Sequence, residues 1–379
     1  MKKHVVHIIT GLENGGAEGV LFRLCIHDAK CRHSVISLTS EGKFGLLLRQ
    51  EGIQVISLGM RGNIGLLRKL LQLRKALKEL SPDVVQTWMY HADLIGGLTA
   101  KLSRIKNINW NIRHSNLSRS HNSLSTILVA KLCAWLSRSI PNSIVCCAEQ
   151  ARRTHEELGY DSSKTVVIPN GYDFSETNRT TPKNIKKELS LNKATPLVGM
   201  VARYNPQKNH AILLRAFSLI EHDDVHLALI GPSITKENNE LITLIRSLNI
   251  SERVHLLGER TDIPSLMGGL DLHVLSSSSG EGFPNVVAEA MASGTPCVVT
   301  DVGDAAVIVD NLGWVVEPSN EHALSESIQK ALSEKRDKPT LWEQRKIDCS
   351  QSVRQRFSVE KMISAYHKVW EKAKDSIYK

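Results

Sequence analysis

The chain alternates short apolar runs with longer stretches whose apolar residues recur at helical spacing. In the first half the runs are 5–10, 33–38, 53–58, 84–87, 108–112, 143–147 and 166–169. In the second half they are 197–202, 225–230, 254–257, 270–275, 296–300 and 314–316. Each run predicts a strand buried on both faces, and each intervening stretch is long enough for a helix. Such alternation builds a parallel sheet covered on both faces. A chain of 379 residues exceeds one typical domain, so two doubly wound α/β domains are expected. Residues 173–196 are polar and carry Pro182 and Pro196, as a linker does. The expected division is 1–175 and 190–356, with a terminal helix over 357–379 that has Met362, Ile363, Tyr366, Val369 and Trp370 on one side.

The second half is organised around residues 276–304, SSSSGEGFPNVVAEAMASGTPCVVTDVGD. The pattern is strand, small polar loop, helix, strand. Pro284 suits a first helical position, and Gly294 followed by Pro296 stops the helix. A crossover of this kind leaves a loop and a helix N-terminus at the carboxyl edge of the sheet. Ligands of open α/β sheets bind at that edge, and a helix N-terminus favours anions. Two carboxylates flank the corner, Glu281 in the loop and Glu289 within the helix. By residue type alone they are a loop glutamate and a solvated helix glutamate, or the acid and base of a glycosidase.

The run from Glu281 through Gly-Phe-Pro-Asn-Val-Val-Ala-Glu-Ala-Met-Ala-Ser-Gly-Thr-Pro resembles the donor-site signature of glycosyltransferase family 4. These are retaining enzymes of the GT-B fold, two Rossmann-like domains facing an interdomain cleft. The resemblance implies that Glu281 holds hydroxyls of the transferred sugar. Backbone N–H groups near Gly282, Phe283, Asn285 and Val286 would face the sugar and diphosphate, and Glu289 would accept from the ribose. Pro284 departs from the glycine common there and removes one N–H. Arg203 and Lys208 follow the run 197–202 and, as residues, are two loop cations; they are similar to the family's pair that grips the donor diphosphate. Asn209 stands where glycine often follows. Residues 258–266 would line the base pocket, chiefly by backbone, and Asp304 departs from the family's glycine-rich loop.

In the first half, Gly15 and Gly16 open a helix after the first run without forming the dinucleotide fingerprint. They are similar to the family's first loop, where small residues admit the acceptor. His91 falls just past a strand end; the resemblance places it near the reaction centre, touching the sugar. Arg113 and His114 follow the next strand and are candidates for an acceptor phosphate.

Charge sharpens this picture. The net charge is +9. Residues 1–180 carry 24 basic against 14 acidic side chains, and the remainder is nearly balanced. A basic first domain calls for an anionic partner: a membrane surface, nucleic acid or a phosphorylated substrate. Residues 65–80 form a basic amphipathic helix able to meet anionic headgroups. No run of apolar residues is long enough to span a bilayer. Seven cysteines without metal spacing fit a reducing cytoplasm.

The expected activity is a hexosyltransferase that moves a sugar from a nucleotide-sugar, a UDP-sugar by expectation, to a polyprenyl-diphosphate-linked glycan in bacterial surface polysaccharide synthesis. It would retain configuration, need neither metal nor other cofactor, bind no nucleic acid, and work at the cytoplasmic face of the plasma membrane. A nucleotide-sugar epimerase of the same fold, or a non-catalytic membrane or nucleic-acid binder, is the competing reading.

Overall fold

A computed structural model describes residues 2–60, 65–115, 123–174, 185–222 and 224–375. The chain divides into two compact units, Met1–Asp173 with Phe357–Lys379, and Phe174–Arg356. The first holds a sheet of β1 (Lys3–Ile9), β2 (Cys31–Ser37), β3 (Gln54–Ser57), β4 (Val84–Trp88), β5 (Ile108–Ile112), β6 (Ser143–Cys146) and β7 (Thr165–Val167). All pairs are parallel, in the order β3-β2-β1-β4-β5-β6-β7. The second holds β8 (Leu197–Val201), β9 (His226–Ile230), β10 (Val254–Leu256), β11 (Leu272–Leu275), β12 (Cys297–Thr300) and β13 (Trp314–Val316), again parallel, in the order β10-β9-β8-β11-β12-β13. Thirteen expected strands are thirteen observed strands among the described residues. Continuous β-branched and leucine runs leave little choice other than burial on both faces.

Side chains alternate across the first sheet. Val6 and Ile8 pack with Val85, Ile108 and Trp110 under one helical layer. Val5 and Ile9 pack with Val35, Val84 and Trp88 under the other, which includes helix Val359–Asp375. That helix packs on helix Gly16–His27. It also gives partners to Asn111 in β5 and to Asn107 just before it. Asn111 Nδ2 donates to the Tyr366 hydroxyl at 2.7 Å, and the Asn107 amide donates to the Trp370 carbonyl at 2.8 Å. Trp370 Nε1 donates to Gln86 Oε1 at 3.0 Å. Beside them His7 Nε2 lies 2.9 Å from His33 Nδ1, and both His33 and His367 reach Asp28 Oδ2, at 3.2 and 2.7 Å. Burial pushes the Asp28 carboxyl up, but the hydrogen bonds to His33 and His367 outweigh it and hold the group well below the usual carboxylate range. Buried polar groups cost little only when satisfied, so these bonds fix where the helix lies.

Two expectations are corrected. Residues 185–188, assigned to the linker, form helix Ile185–Glu188 of the second unit. Ile185 is buried there, and Lys186 Nζ pairs with Asp271 at 2.7 Å. The rest of the expected linker lies largely outside the described residues. In helix Leu66–Leu80, Leu73, Leu77 and Leu80 are buried, but Leu67 points to solvent at 73% exposure. The apolar stripe is narrower than the leucine spacing alone indicates.

Acid should weaken the second unit. Burial, with a smaller contribution from the Lys208 charge, holds His210 to about 4 and His273 to about 3, against 6.5 when unfolded. Below the unfolded value the unfolded chain binds protons that the folded chain refuses, so stability present at neutral pH is lost as pH falls from 6.5. Both ring nitrogens of His273 are buried without partners. His273→Leu should therefore leave stability near pH 7 within about 1 kcal/mol and flatten the acid limb, read by urea unfolding at about pH 7 and about pH 5.

Candidate active site

In the second sheet β8 lies between β9 and β11, so the chain leaves the carboxyl ends of β8 and β11 in opposite directions. This is the topological switch point, where open α/β sheets leave a crevice. Two loops meet there. The loop after β8 holds the short 3-10 turn Pro206–Lys208, capped by Asn205 Oδ1 accepting from the Gln207 N–H at 2.8 Å. Asn209 has φ 50° and ψ 53°, the left-handed region, and its side chain accepts from Ile212 N–H at 3.3 Å to start helix His210–Ser218. Asparagine tolerates that conformation better than other non-glycine residues, which accounts for Asn209 at a position where glycine is common.

The loop after β11 is laced onto this one. Ser276 Oγ donates to the Lys208 carbonyl at 3.0 Å, and Ser278 N–H donates to the Gln207 carbonyl at 2.8 Å. The result brings Lys208 Nζ to 2.5 Å from Glu281 Oε1. Ser277 Oγ donates to the same oxygen at 2.5 Å, and Thr300 Oγ1 holds the Ser277 carbonyl at 2.6 Å. Glu281 is 9% exposed. A carboxylate so far from water needs a cation and a donor, and both are supplied.

Below Glu281 the next loop closes up. Asp304 N–H donates to the Gly282 carbonyl at 2.8 Å. Gly303 has φ +63°, and a Cβ there would stand 2.5 Å from the carbonyl oxygens of Glu281 and Gly282. Asp304, a departure from the family pattern, is buried and is part of the support for this loop. Helix Asn285–Ala292 follows. Pro284 is its cap, with extended ψ 100°, and does not occupy the first helical position as expected. The first-turn N–H groups of Asn285 and Val286 have no acceptor within the helix, so their dipoles favour an anion at this end. Phe283 is buried, and Glu289 is half-buried one turn along. Arg203 is exposed and, among the described residues, makes no hydrogen bond or ion pair. Residues 258–266 meet the loop after β9, where Gly231 N–H donates to the Gly258 carbonyl at 2.8 Å. Arg260 there is tied to Glu188 and Asp262.

The first sheet has its own switch point, between β1 and β4. Helix Gly16–His27 begins after Gly15, which is its extended cap. Helix Tyr90–Leu102 begins after Met89, whose φ 71° and ψ 157° are a strained combination for a side chain of that size. Met89 is held by its N–H donating to the Asn111 carbonyl at 2.9 Å and by its carbonyl accepting from Asp93 N–H at 2.8 Å. His91 is the half-buried second residue of this helix. Asp93 is buried beneath it; burial raises its carboxyl to about 8, against the opposing hydrogen bonds from Thr87 and Asn111. Arg113 donates to Asn170 Oδ1 at 2.5 Å and stacks over Trp88 at 5.4 Å. Its other terminal nitrogen is buried without a hydrogen-bond partner. His114 follows it in the same loop, half-buried. Burial raises the Glu18 carboxyl, and the charge of Arg113 opposes the shift.

Arg203, Lys208, Glu281, Glu289, His91 and Arg113, expected from the sequence, stand in the loops and helices that follow these strands; Ser277, Glu18, Met89 and Asp93 beside them were not expected. The serine run at a strand's carboxyl end was a usable signal for Ser277. The left-handed Met89 left none.

Two parallel Rossmann-like units, one with a cation and carboxylate at its switch point, define the fold class of the GT-B glycosyltransferases. Residues 14–176 match Glycosyltransferase Family 4, and residues 182–347 match Glycosyl transferases group 1, so each unit carries one of the two domains and the chain belongs to these glycosyltransferases. It is 28% identical over 265 residues to the Escherichia coli UDP-Gal:alpha-D-GlcNAc-diphosphoundecaprenol alpha-1,3-galactosyltransferase, a stretch that spans 66% of each chain. It is 26% identical over 341 residues, 86% of this chain and 89% of the other, to the N,N'-diacetylbacillosaminyl-diphospho-undecaprenol alpha-1,3-N-acetylgalactosaminyltransferase of Campylobacter jejuni. Among solved structures, Anabaena HepE in complex with UDP superposes with a TM-score of 0.84 at 24% identity, covering 98% of this chain and 100% of HepE.

Gly303→Ala tests the support of the site. Backbone atoms block the added Cβ and the φ is unfavourable, so a loss of roughly 2 kcal/mol or more is expected in urea unfolding of the second unit.

Proposed function

We propose that this chain transfers a hexose, with retention of configuration and without a metal, from a UDP-sugar to a glycan carried on a polyprenyl diphosphate. The observation that carries the reading is Lys208, Glu281 and Ser277 meeting at the switch point of the second sheet, beside the N-terminus of helix Asn285–Ala292. The names of the relatives support the substrate classes: a UDP-sugar donor in one, and diphosphoundecaprenol acceptors in both.

In this reading the donor diphosphate takes Lys208 as its cation, with Arg203 and the N–H groups of the helix start. Breaking the bond between the anomeric carbon and the β-phosphate oxygen builds negative charge on that oxygen. Fixed donors and cations at that point lower the barrier. Glu281, relieved of Lys208, accepts from sugar hydroxyls and stays held by Ser277. Glu289 accepts from the ribose, and His91 touches the transferred sugar. Gly15, Gly16 and Arg113 receive the acceptor, whose hydroxyl attacks from the face the phosphate leaves. The departing phosphate takes the hydroxyl proton, so no covalent intermediate forms. The enzyme works at the cytoplasmic face of the plasma membrane in surface polysaccharide synthesis, drawn there by the basic charge of its first unit.

Lys208→Ala should lower kcat by roughly 10²–10³-fold and remove most of the thermal stabilisation given by UDP. Glu281→Gln should lower kcat with a smaller effect on UDP binding. Wild-type rates in both variants would refute the site. UDP released together with an epimerised sugar, in the absence of any acceptor, would refute transfer and support epimerisation.

A further inference from the structure

Helix Leu124–Leu136, LSTILVAKLCAWL, is apolar except for Ser125, Thr126 and Lys131. A helix of that composition is expected to be covered on every side. This one is covered on one side only. Its small residues Ala130, Cys133 and Ala134 face the core. Its large ones face solvent: Leu124 at 73% exposure, Leu128 at 69%, Leu132 at 42% and Trp135 at 71%. The positions i, i+4, i+8 and i+11 fall on one stripe, about 16 Å long.

The neighbouring helix exposes leucines as well. Helix Tyr90–Leu102 packs alongside and exposes Leu98 and Leu102. Single exposed leucines are ordinary, but a contiguous patch marks a surface that meets something. The flanking charges name the partner. Lys101, Arg104, Lys131 and Arg138 are exposed around the patch. Neither helix has an acidic residue on its exposed side; their one acid, Asp93, is buried. Leucines with a tryptophan at the stripe's end and a basic rim match the headgroup–acyl boundary of an anionic bilayer. A second copy of the chain fits poorly, because a two-fold contact would set the basic rim against itself.

We propose that this face, the outer side of helices Leu124–Leu136 and Tyr90–Leu102, inserts into the surface of an anionic phospholipid bilayer. Charge alone, as on helix Leu66–Leu80, gives reversible attraction; the exposed leucines and Trp135 supply the second, apolar anchor that stable attachment requires. The helix follows β5, so Leu124 lies at the carboxyl edge of the sheet that also bears Gly15 and His91. The link to a lipid-carried acceptor rests on the function proposed above; the surface itself does not.

The full chain should co-sediment with phosphatidylcholine vesicles containing phosphatidylglycerol, far more than with phosphatidylcholine alone. Leu128→Glu should lower the partition coefficient about tenfold or more, while Leu46→Glu, exposed on helix Gly42–Gln50 under the other face of the sheet, should leave it unchanged. Tryptophan emission should shift to the blue on vesicle binding, and Trp135→Phe should remove most of that shift. UDP-induced thermal stabilisation should survive in Leu128→Glu, which checks folding. No vesicle binding by the wild type, or equal binding by Leu128→Glu, would overturn the proposal. A wild-type dimer that Leu128→Glu splits, with no vesicle binding, would overturn it in favour of a subunit interface. Vesicle binding by a chain that does not take up UDP would leave this surface standing and defeat the proposed donor instead.

Discussion

The contact around which the second unit's switch point is built is the ion pair of Lys208 and Glu281. Two features of the parallel sheet make it. Strands β8 and β11 are neighbours although three helices and two strands separate them in sequence, and their following loops diverge from a common edge. Serine hydroxyls and main-chain bonds then draw the loops together until the ammonium and carboxylate meet. A pair this far from water is worth little as stabilisation, since desolvation offsets most of the Coulomb gain. It is strongly unfavourable to break without replacement. In the function proposed above, a diphosphate replaces the carboxylate as the partner of Lys208, and hydroxyl donors replace Lys208 as the partner of Glu281. The same electrostatics keeps His210 and His273 neutral beneath the loop, so Lys208 has no competing cation below it.

The first unit repeats the topology with different content. Its switch point carries a strained backbone at Met89, a half-buried His91, and Arg113 held by Asn170 and Trp88. Its charge lies on the outer helices. Several polar residues of this sheet and its edge seat the terminal helix: Asn107 just before β5, Asn111 of β5, Gln86 of β4 and the His7–His33–Asp28 chain that ends on His367. Hydrogen bonds buried in this way specify one docking position because any other leaves donors and acceptors unpaired.

The outer helical layer of the first unit shows how composition and placement separate. Helix Leu66–Leu80 has leucines at helical spacing with cations between them, and it buries Leu73, Leu77 and Leu80. Helix Leu124–Leu136 has one cation and is mostly apolar, yet it presents Leu124, Leu128, Leu132 and Trp135 to solvent. The second is the stronger sign of a surface with a partner, because nothing among the described residues covers it.

The amino-acid pattern by itself determined the thirteen strands, their parallel pairing in two sheets, and the chemical content of the loops at their carboxyl ends. Period, run length and glycine–proline punctuation are local properties, and local energetics decides them. Lys208 and Glu281 could be picked out, with the aid of family resemblance, but not that they touch, since 73 residues separate them. The contacts of Ser277 and Gly303, the raised carboxyl of Asp93, the positive φ of Met89 and the outward turn of Leu128 and Trp135 were set only in the tertiary structure. Each depends on which distant atoms surround the residue, and burial, strain and exposure are properties of the packed chain.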